Sequence, residues 1–171
     1  YDIRPVVPGA NTLACPCDGK ISQAGPIRAG AIVQAKGRAY SALELLGGDK
    51  SMAAEFADGR FATIYLAPHD YHRIHMPLDA NLVRMIHVPG RLFSVAEWTV
   101  QEIPRLFARN ERLVCYFETA AGPVVMVLVG AINVSAIETI WSGQVVPPGA
   151  RKISEFDYSH TRKPIDKGAE M

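Results

Sequence analysis

Arg112-Leu113-Val114-Cys115-Tyr116-Phe117-Glu118-Thr119 and Val124-Val125-Met126-Val127-Leu128-Val129-Gly130-Ala131, joined through Ala120-Ala121-Gly122-Pro123, form the stretch that decides the fold. Two runs rich in β-branched and aromatic residues, separated by a short turn containing Gly and Pro, read as a β-hairpin. The apolar run Val124 to Ile132 is nine residues long. That is well under the roughly 20 residues a membrane-spanning helix needs, and it reads as a buried strand. Working outward, Asn81 to Val88 predicts a strand ending at the Pro89-Gly90 turn, and Phe61 to Leu66 alternates β-formers. Lys20 to Ala24, Ala31 to Ala35 and Val134 to Trp141 predict further short strands bounded by turn residues. Helical signals are brief. Ser41 with Glu44 forms a capping box for Ala42 to Leu46, Ser51 to Ala57 predicts a second helix, and Gln101 to Ala108 is ambiguous because of Pro104. Many short strands with few helical turns predict a single mainly β domain over residues 1–171, a β-sandwich or partly closed barrel with a few short helices. Residues 150–171 are polar, and Lys163 to Met171 offers little to bury, so this end is expected to be an unfinished element or a flexible tail.

The chain has 171 residues, 49% hydrophobic and 20% charged, with a formal net charge of +1. This is ordinary globular composition, and no polybasic run points to nucleic acid. Residue 1 is Tyr and no signal-peptide pattern precedes the fold, so the native N-terminus is expected upstream. Cys15, Cys17 and Cys115 are an odd number, which favours free thiols in a reducing compartment. A Cys-Pro-Cys spacing without a second cysteine pair is a poor zinc motif, so no metal is expected and the three cysteines are read as small packing groups.

The richest chemistry lies in Pro68-His69-Asp70-Tyr71-His72-Arg73-Ile74-His75-Met76-Pro77, which holds three of the five histidines between two prolines. Each proline biases the residue before it toward extended backbone, so this is a loop or single turn delivered by the Phe61–Leu66 strand. Histidine exchanges protons near neutral pH, and His72 and His75 are spaced to share one face of such a turn. On these residues alone, a polar structural turn and a catalytic loop are both open. Asp18 before Gly19 is a turn former at a strand edge. His69 and His87 are read as solvated or structural.

Cys17-Asp18-Gly19-Lys20-Ile21-Ser22-Gln23, Gln34-Ala35-Lys36-Gly37, Tyr71-His72-Arg73-Ile74-His75-Met76-Pro77 and Pro89-Gly90-Arg91-Leu92-Phe93-Ser94-Val95 together resemble the bacterial phosphatidylserine decarboxylases. So do Phe107 to Arg112, Leu128 to Ala131 and Ile137 to Trp141, in the family's order. The resemblance implies a proenzyme that cuts itself at a Gly-Ser bond into a β chain and an α chain whose first residue becomes a pyruvoyl group. That group supplies the electron sink for converting phosphatidylserine to phosphatidylethanolamine. No Gly-Ser dipeptide occurs between residues 1 and 171, and Lys167-Gly168-Ala169-Glu170-Met171 resembles the region just before the cleavage motif. The chain is therefore expected to be a β subunit, trimmed at both ends and inactive without its α chain. By match to the family, Asp18 is the orienting carboxylate and His75 the general base for self-cleavage, and His72 is the general acid for decarboxylation. The implied partners are the α chain and phosphatidylserine in the membrane, with a homodimer left open. The implied location is peripheral, on the cytoplasmic face of the cell membrane. Two other readings compete: a non-catalytic β-domain that binds a lipid surface or protein partner, and a zinc-dependent hydrolase using His69, His72, His75 and a cysteine.

Overall fold

The structure, a computed structural model, describes residues 5–6, 8–9, 11–132, 134, 136–145 and 151–171. In chain order, β1 (Lys20–Pro26), β2 (Ala31–Ala35) and β3 (Arg38–Ser41) lead into helices α1 (Ala42–Leu45) and α2 (Lys50–Glu55). Strands β4 (Arg60–Tyr65) and β5 (Ala80–Val88) flank the histidine loop. Helices α3 (Glu97–Glu102) and α4 (Leu106–Arg109) precede the hairpin β6 (Arg112–Thr119) and β7 (Gly122–Val129). Then come β8 (Glu138–Thr139), β9 (Gly143–Gln144), β10 (Ser154–Asp157) and β11 (Lys163–Ile165). The fold is mainly β with a few short helices, as expected.

The central sheet is antiparallel, with β5 paired to β6 and β6 to β7 on one side and both β10 and β11 paired to β5 on the other. Strands β5 and β6 are covered on both faces, which is why their sequences run nearly continuously apolar. One face packs Leu82, Met85, Leu113, Cys115 and Phe117 against Met76, Ile165 and Met171. The other packs Ile86, Val88 and Val114 against Leu46, Met52, Leu106 and Phe107 of the helical layer. Leu82 and Met85 share a face although three residues apart, because the register shifts between Leu82 and Arg84. A bulge of this kind re-phases the side-chain alternation. Arg84 thereby points away from Met85 and pairs with Asp49 at the start of α2 and with Glu155 of β10.

The Ser41–Glu44 capping box forms as the sequence predicts, with reciprocal side-chain and backbone bonds. The helix over Gln101 to Ala108 is split around Pro104 into α3 and α4. The hairpin is tighter than expected. Only Ala120 and Ala121 form the turn, while Gly122 and Pro123 pair with Thr119 and Glu118 inside the ladder. Among the described residues of the predicted strand Val134 to Trp141, Glu138–Thr139 forms a strand, paired with β9. Residues 133 and 135, and the Pro147-Pro148-Gly149 turn, lie outside the described residues, as does Tyr1.

The expected C-terminal tail needs correction. Residues 154–157 and 163–165 are strands on the edge of β5, and Ile165 and Met171 are buried. Polar composition misled here because an edge strand buries alternate residues and satisfies its backbone on one side only.

Buried polar side chains attach the helices to the sheet. Arg112, 2% exposed, donates from its guanidinium to the carbonyls of Glu44, Leu45, Ala108 and Asn110 at 2.6–2.8 Å. Asn110 donates to the carbonyls of Phe93 and Gly130 and accepts from Phe93 N–H. Gln34 does likewise for α3 and α4, donating to Val100 and Ile103 and accepting from Leu106 N–H. A buried carbonyl stripped of its donor costs about 1–3 kcal/mol. Arg112→Met, which keeps the apolar stem, is therefore expected to lower unfolding free energy by roughly 3 kcal/mol or more. Denaturant unfolding of the full-length protein with an unchanged slope checks this; a loss below about 1 kcal/mol contradicts it.

Candidate active site

The segment Ile74 to Pro77 is gripped on both edges by the two ends of the chain. On one edge His75 N–H donates to Pro16 O and Ala14 N–H donates to Pro77 O, both at 2.8 Å. On the other, Met76 N–H donates to Ala169 O, Gly168 N–H to Met76 O and Met171 N–H to Ile74 O, at 2.8–2.9 Å. The two ends are also tied to each other: the Lys167 ammonium donates to Thr12 O at 2.7 Å and to the Thr12 hydroxyl at 2.8 Å. Arg73 pairs with Glu170 at 3.1 Å. Upstream, Pro68 to Asp70 makes a tight turn in which Asp70 N–H donates to Ala67 O and the Asp70 carboxylate accepts from Ala67 N–H. The predicted loop between two extended elements is present, with its second half held like a strand.

His75 is half-buried, and both of its ring nitrogens are engaged. Nδ1 lies 2.9 Å from Gly168 O, and Nε2 lies 3.1 Å from the Tyr71 hydroxyl. A carbonyl only accepts, so this contact assigns the proton to Nδ1 and leaves the lone pair on Nε2. Tyr71 also stacks on the imidazole, with centroids 5.8 Å apart and planes 20° from parallel. His72 is exposed, with Nδ1 2.7 Å from Asp70 O. The same logic leaves its Nε2 as the outward nitrogen. In both histidines the carbonyl contact thus places a proton on Nδ1 and leaves Nε2 as the nitrogen available for exchange.

His72 lines a groove of about 1680 Å³ that also takes in residues of β1, β4 and β7. Strand β7 ends the central sheet and has no second partner strand among the described residues. Its residues Val124 to Val129 are all half-buried along the groove wall. The groove rim exposes Leu13, Ile21 and Ile132, each more than 60% accessible. Cys15 and Cys17 stand at the same rim, with the Cys15 thiol donating to Cys17 O at 3.1 Å.

Asp18 is exposed on the turn before β1. Gly19 sets this turn against the end of β4, since a Cβ there would sit 2.6 Å from Tyr65 O. At His75 Nδ1 the acceptor is Gly168 O. His69 is 85% exposed beside Asp70. His87 is fully buried on β5 with Nε2 3.0 Å from the Glu111 carboxylate, a structural contact remote from the loop in sequence. Burial pushes the Cys17 thiol up to about 11, helped by Cys15, Asp18 and Asp70, and pushes Cys115 up to about 12. Neither is a ready thiolate at neutral pH. Among the described residues no group of three or more His, Cys, Asp or Glu is arranged to hold a metal ion. The Tyr71 and Gly168 contacts to His75 were missed in the sequence. Tyr71 is visible there only as a neighbour, and Gly168 acts through a backbone atom.

The whole chain, residues 1–171, matches the family model described as phosphatidylserine decarboxylase. A relative from Pseudomonas putida (strain W619), named phosphatidylserine decarboxylase proenzyme, is 55% identical over 173 residues, covering 99% of this chain and 60% of the relative. Proteins of the same name from Shewanella frigidimarina (55% identical) and Methylococcus capsulatus (52% identical) match 99% of this chain and 60% and 59% of their own lengths. The chain thus spans about 60% of the length of the curated relatives it matches.

The His75–Gly168 contact rests on an unusual backbone. Gly168 has φ +83°, and a Cβ there would lie 2.3 Å from a Val6 methyl. A side chain in that conformation costs about 1–2 kcal/mol before any clash. Gly168→Ala is expected to lower Tm by roughly 2–6 °C and to weaken the His75 Nδ1 proton's protection in imidazole NMR. An unshifted Tm with an unaltered His75 resonance contradicts this account of the site.

Proposed function

The chain belongs to the phosphatidylserine decarboxylase family, and from that premise we propose that it is the β chain of a self-cleaving proenzyme that makes phosphatidylethanolamine from phosphatidylserine. The observation that carries the reading is the His75 ring, with Nδ1 committed to a carbonyl and Nε2 left basic, three residues from an exposed His72 on an apolar groove. A base held in one tautomer at a fixed orientation is what activation of a serine hydroxyl requires. In this reading His75 Nε2 takes the proton of the attacking serine, which lies on the polypeptide beyond this chain. Asp18 supplies the negative charge that stabilises the resulting imidazolium. Since Gly168 O stands at Nδ1 here, that role calls for the Asp18 turn to approach the ring in the uncut precursor.

The pyruvoyl group, carried by the α chain, supplies the carbonyl that accepts electrons as CO2 leaves. The surroundings suit such a group. The groove is walled by half-buried Val124 to Val129, and the Cys17 thiol on it is not a ready nucleophile. His72 Nε2, exposed to solvent at this groove, first takes up a proton from water and then delivers it to complete decarboxylation. The α chain is the partner proposed for the open edge of β7, where a strand would satisfy the unpaired backbone. Exposed Leu13, Ile21 and Ile132 at the rim fit a lipid substrate that approaches from a membrane surface. No helix among the described residues is long and apolar enough to cross a membrane. Attachment to the cytoplasmic face is part of the proposal, as is a homodimer compatible with it.

The full-length gene product tests these roles separately. His75→Ala and Asp18→Ala are expected to remain a single uncut chain on a denaturing gel, because losing the orienting carboxylate of such a triad can cost about 10⁴ in rate. Normal cutting of either removes that residue from the mechanism. His72→Ala is expected to be cut and to carry the pyruvoyl group, yet to turn over phosphatidylserine roughly 10²- to 10⁴-fold more slowly. A cut, stable, pyruvoyl-loaded His72→Ala with near-normal turnover contradicts the assignment.

A cofactor test follows from the same reading. Activity is expected to survive dialysis against a chelator and to be lost to hydroxylamine, which captures a reactive carbonyl. Loss on chelation with recovery on adding zinc would instead support the metal-dependent hydrolase reading.

A further inference from the structure

We infer that Tyr71 is a positioning residue for His75, its hydroxyl holding the place on Nε2 that the reacting serine hydroxyl must take. The inference rests on the proposal that His75 is the base for self-cleavage, and deepens it. Three observations on one ring carry it. Gly168 O accepts the Nδ1 proton at 2.9 Å, so Nε2 has only a lone pair to offer. The Tyr71 hydroxyl lies 3.1 Å from that atom, and a phenol facing a lone pair is the donor. The phenol ring stacks on the imidazole, so one side chain fixes both the plane of the base and the direction of its lone pair.

The consequence is chemical. A hydroxyl donating to Nε2 stabilises the neutral imidazole and so lowers its proton affinity. It also keeps the lone pair aimed at a hydroxyl donor when serine is not there, which limits reorganisation when serine arrives. For serine to react, its O–H replaces that of Tyr71 on Nε2; one hydrogen bond is exchanged for another and no net bond is lost. After cleavage has consumed the serine, Tyr71 returns to the nitrogen. Tyr71 touches no reacting atom while the reaction proceeds, so its role is positioning.

Other titratable groups lie on the elements packed around the ring. On the C-terminal segment these are Glu170, opposite His75 in a β-bridge and paired with Arg73, and Lys167. On the N-terminal segment they are Cys15, Cys17 and Asp18, flanking the Pro16 carbonyl that receives His75 N–H. On the loop itself they are Asp70 and His72. All are unchanged in Tyr71→Phe, which keeps the stacked ring and removes only the hydroxyl.

The experiment compares full-length precursor as wild type, Tyr71→Phe and His75→Ala. It reads the pH profile of self-cleavage and, by imidazole NMR, the titration of His75. Losing the hydroxyl that donates to the Nε2 lone pair is expected to move the His75 titration, and with it the acid limb of the cleavage profile, to higher pH. Rescue of the limb by an ordinary structural substitution nearby is not expected, and Tm should fall little. A Tyr71→Phe precursor whose His75 titration and acid limb both stay in place overturns the inference, as does one whose only change is a lower Tm. Failure of the underlying reading is distinct: His75→Ala would then cut at the normal rate even if Tyr71→Phe shifts the His75 titration.

Discussion

Four carbonyl groups from the ends of two single-turn helices converge on one buried guanidinium, and the helical layer depends on that contact. Helices α1 and α4 have four residues each, far too short to be stable alone. Their last carbonyls lack helical partners and need donors from elsewhere. Arg112, at the first position of β6, supplies those donors to Glu44 and Leu45 on one helix and to Ala108 and Asn110 on the other. Burial pulls its pKa down to about 10, partly offset by Glu44 and Tyr40, which leaves it charged at neutral pH. A charged donor buried among carbonyls binds them more strongly than a neutral one. Met52, Leu106 and Phe107 can then pack on Ile86, Val88 and Val114 without stranding polar backbone.

The same accounting explains the site at the other end of β5. Ile74 to Pro77 belongs to no regular sheet, yet its backbone groups are met from both sides by residues 14–16 and 168–171. Met76, fully buried between them, anchors the segment in the core that β5 and β6 build. His75 is thereby fixed by packing and hydrogen bonds rather than by a helix or strand. Its orienting acceptor, Gly168 O, comes from a residue 93 positions away. The C-terminal segment is part of the site because it completes that grip.

Much of this was legible in the residues. The capping box, the β6–β7 hairpin and the extended loop between two prolines each follow from local chemistry that tertiary context did not override. What was not legible depended on distant backbone atoms. Nothing in the composition of residues 150–171 shows that β5 has a free edge to receive them. The block Phe107 to Arg112 reads as a signature, but its work is structural: Asn110 and Arg112 bond carbonyls, and Phe107 packs edge-on against Tyr40. The acceptor at His75 Nδ1 is a main-chain oxygen. Side-chain identities do not reveal backbone acceptors, so a residue pattern alone could not have found Gly168.

The spacing of the two histidines then acquires a physical meaning. In a helical turn, residues three apart would share a face and an environment. Here the loop is extended by His75, and the two rings go to different surroundings: His72 exposed at the groove, His75 half-buried under Tyr71 and against the C-terminal segment. Both are held as the same tautomer by a carbonyl at Nδ1, so they differ in what reaches Nε2 rather than in intrinsic chemistry. An enclosed nitrogen already engaged by a hydroxyl suits one proton transfer from a hydroxyl in its own chain's precursor. A nitrogen facing an open apolar groove suits repeated transfer to substrates that come and go. Under the proposed function, the two proton transfers would fall to two rings that one short segment holds in different surroundings.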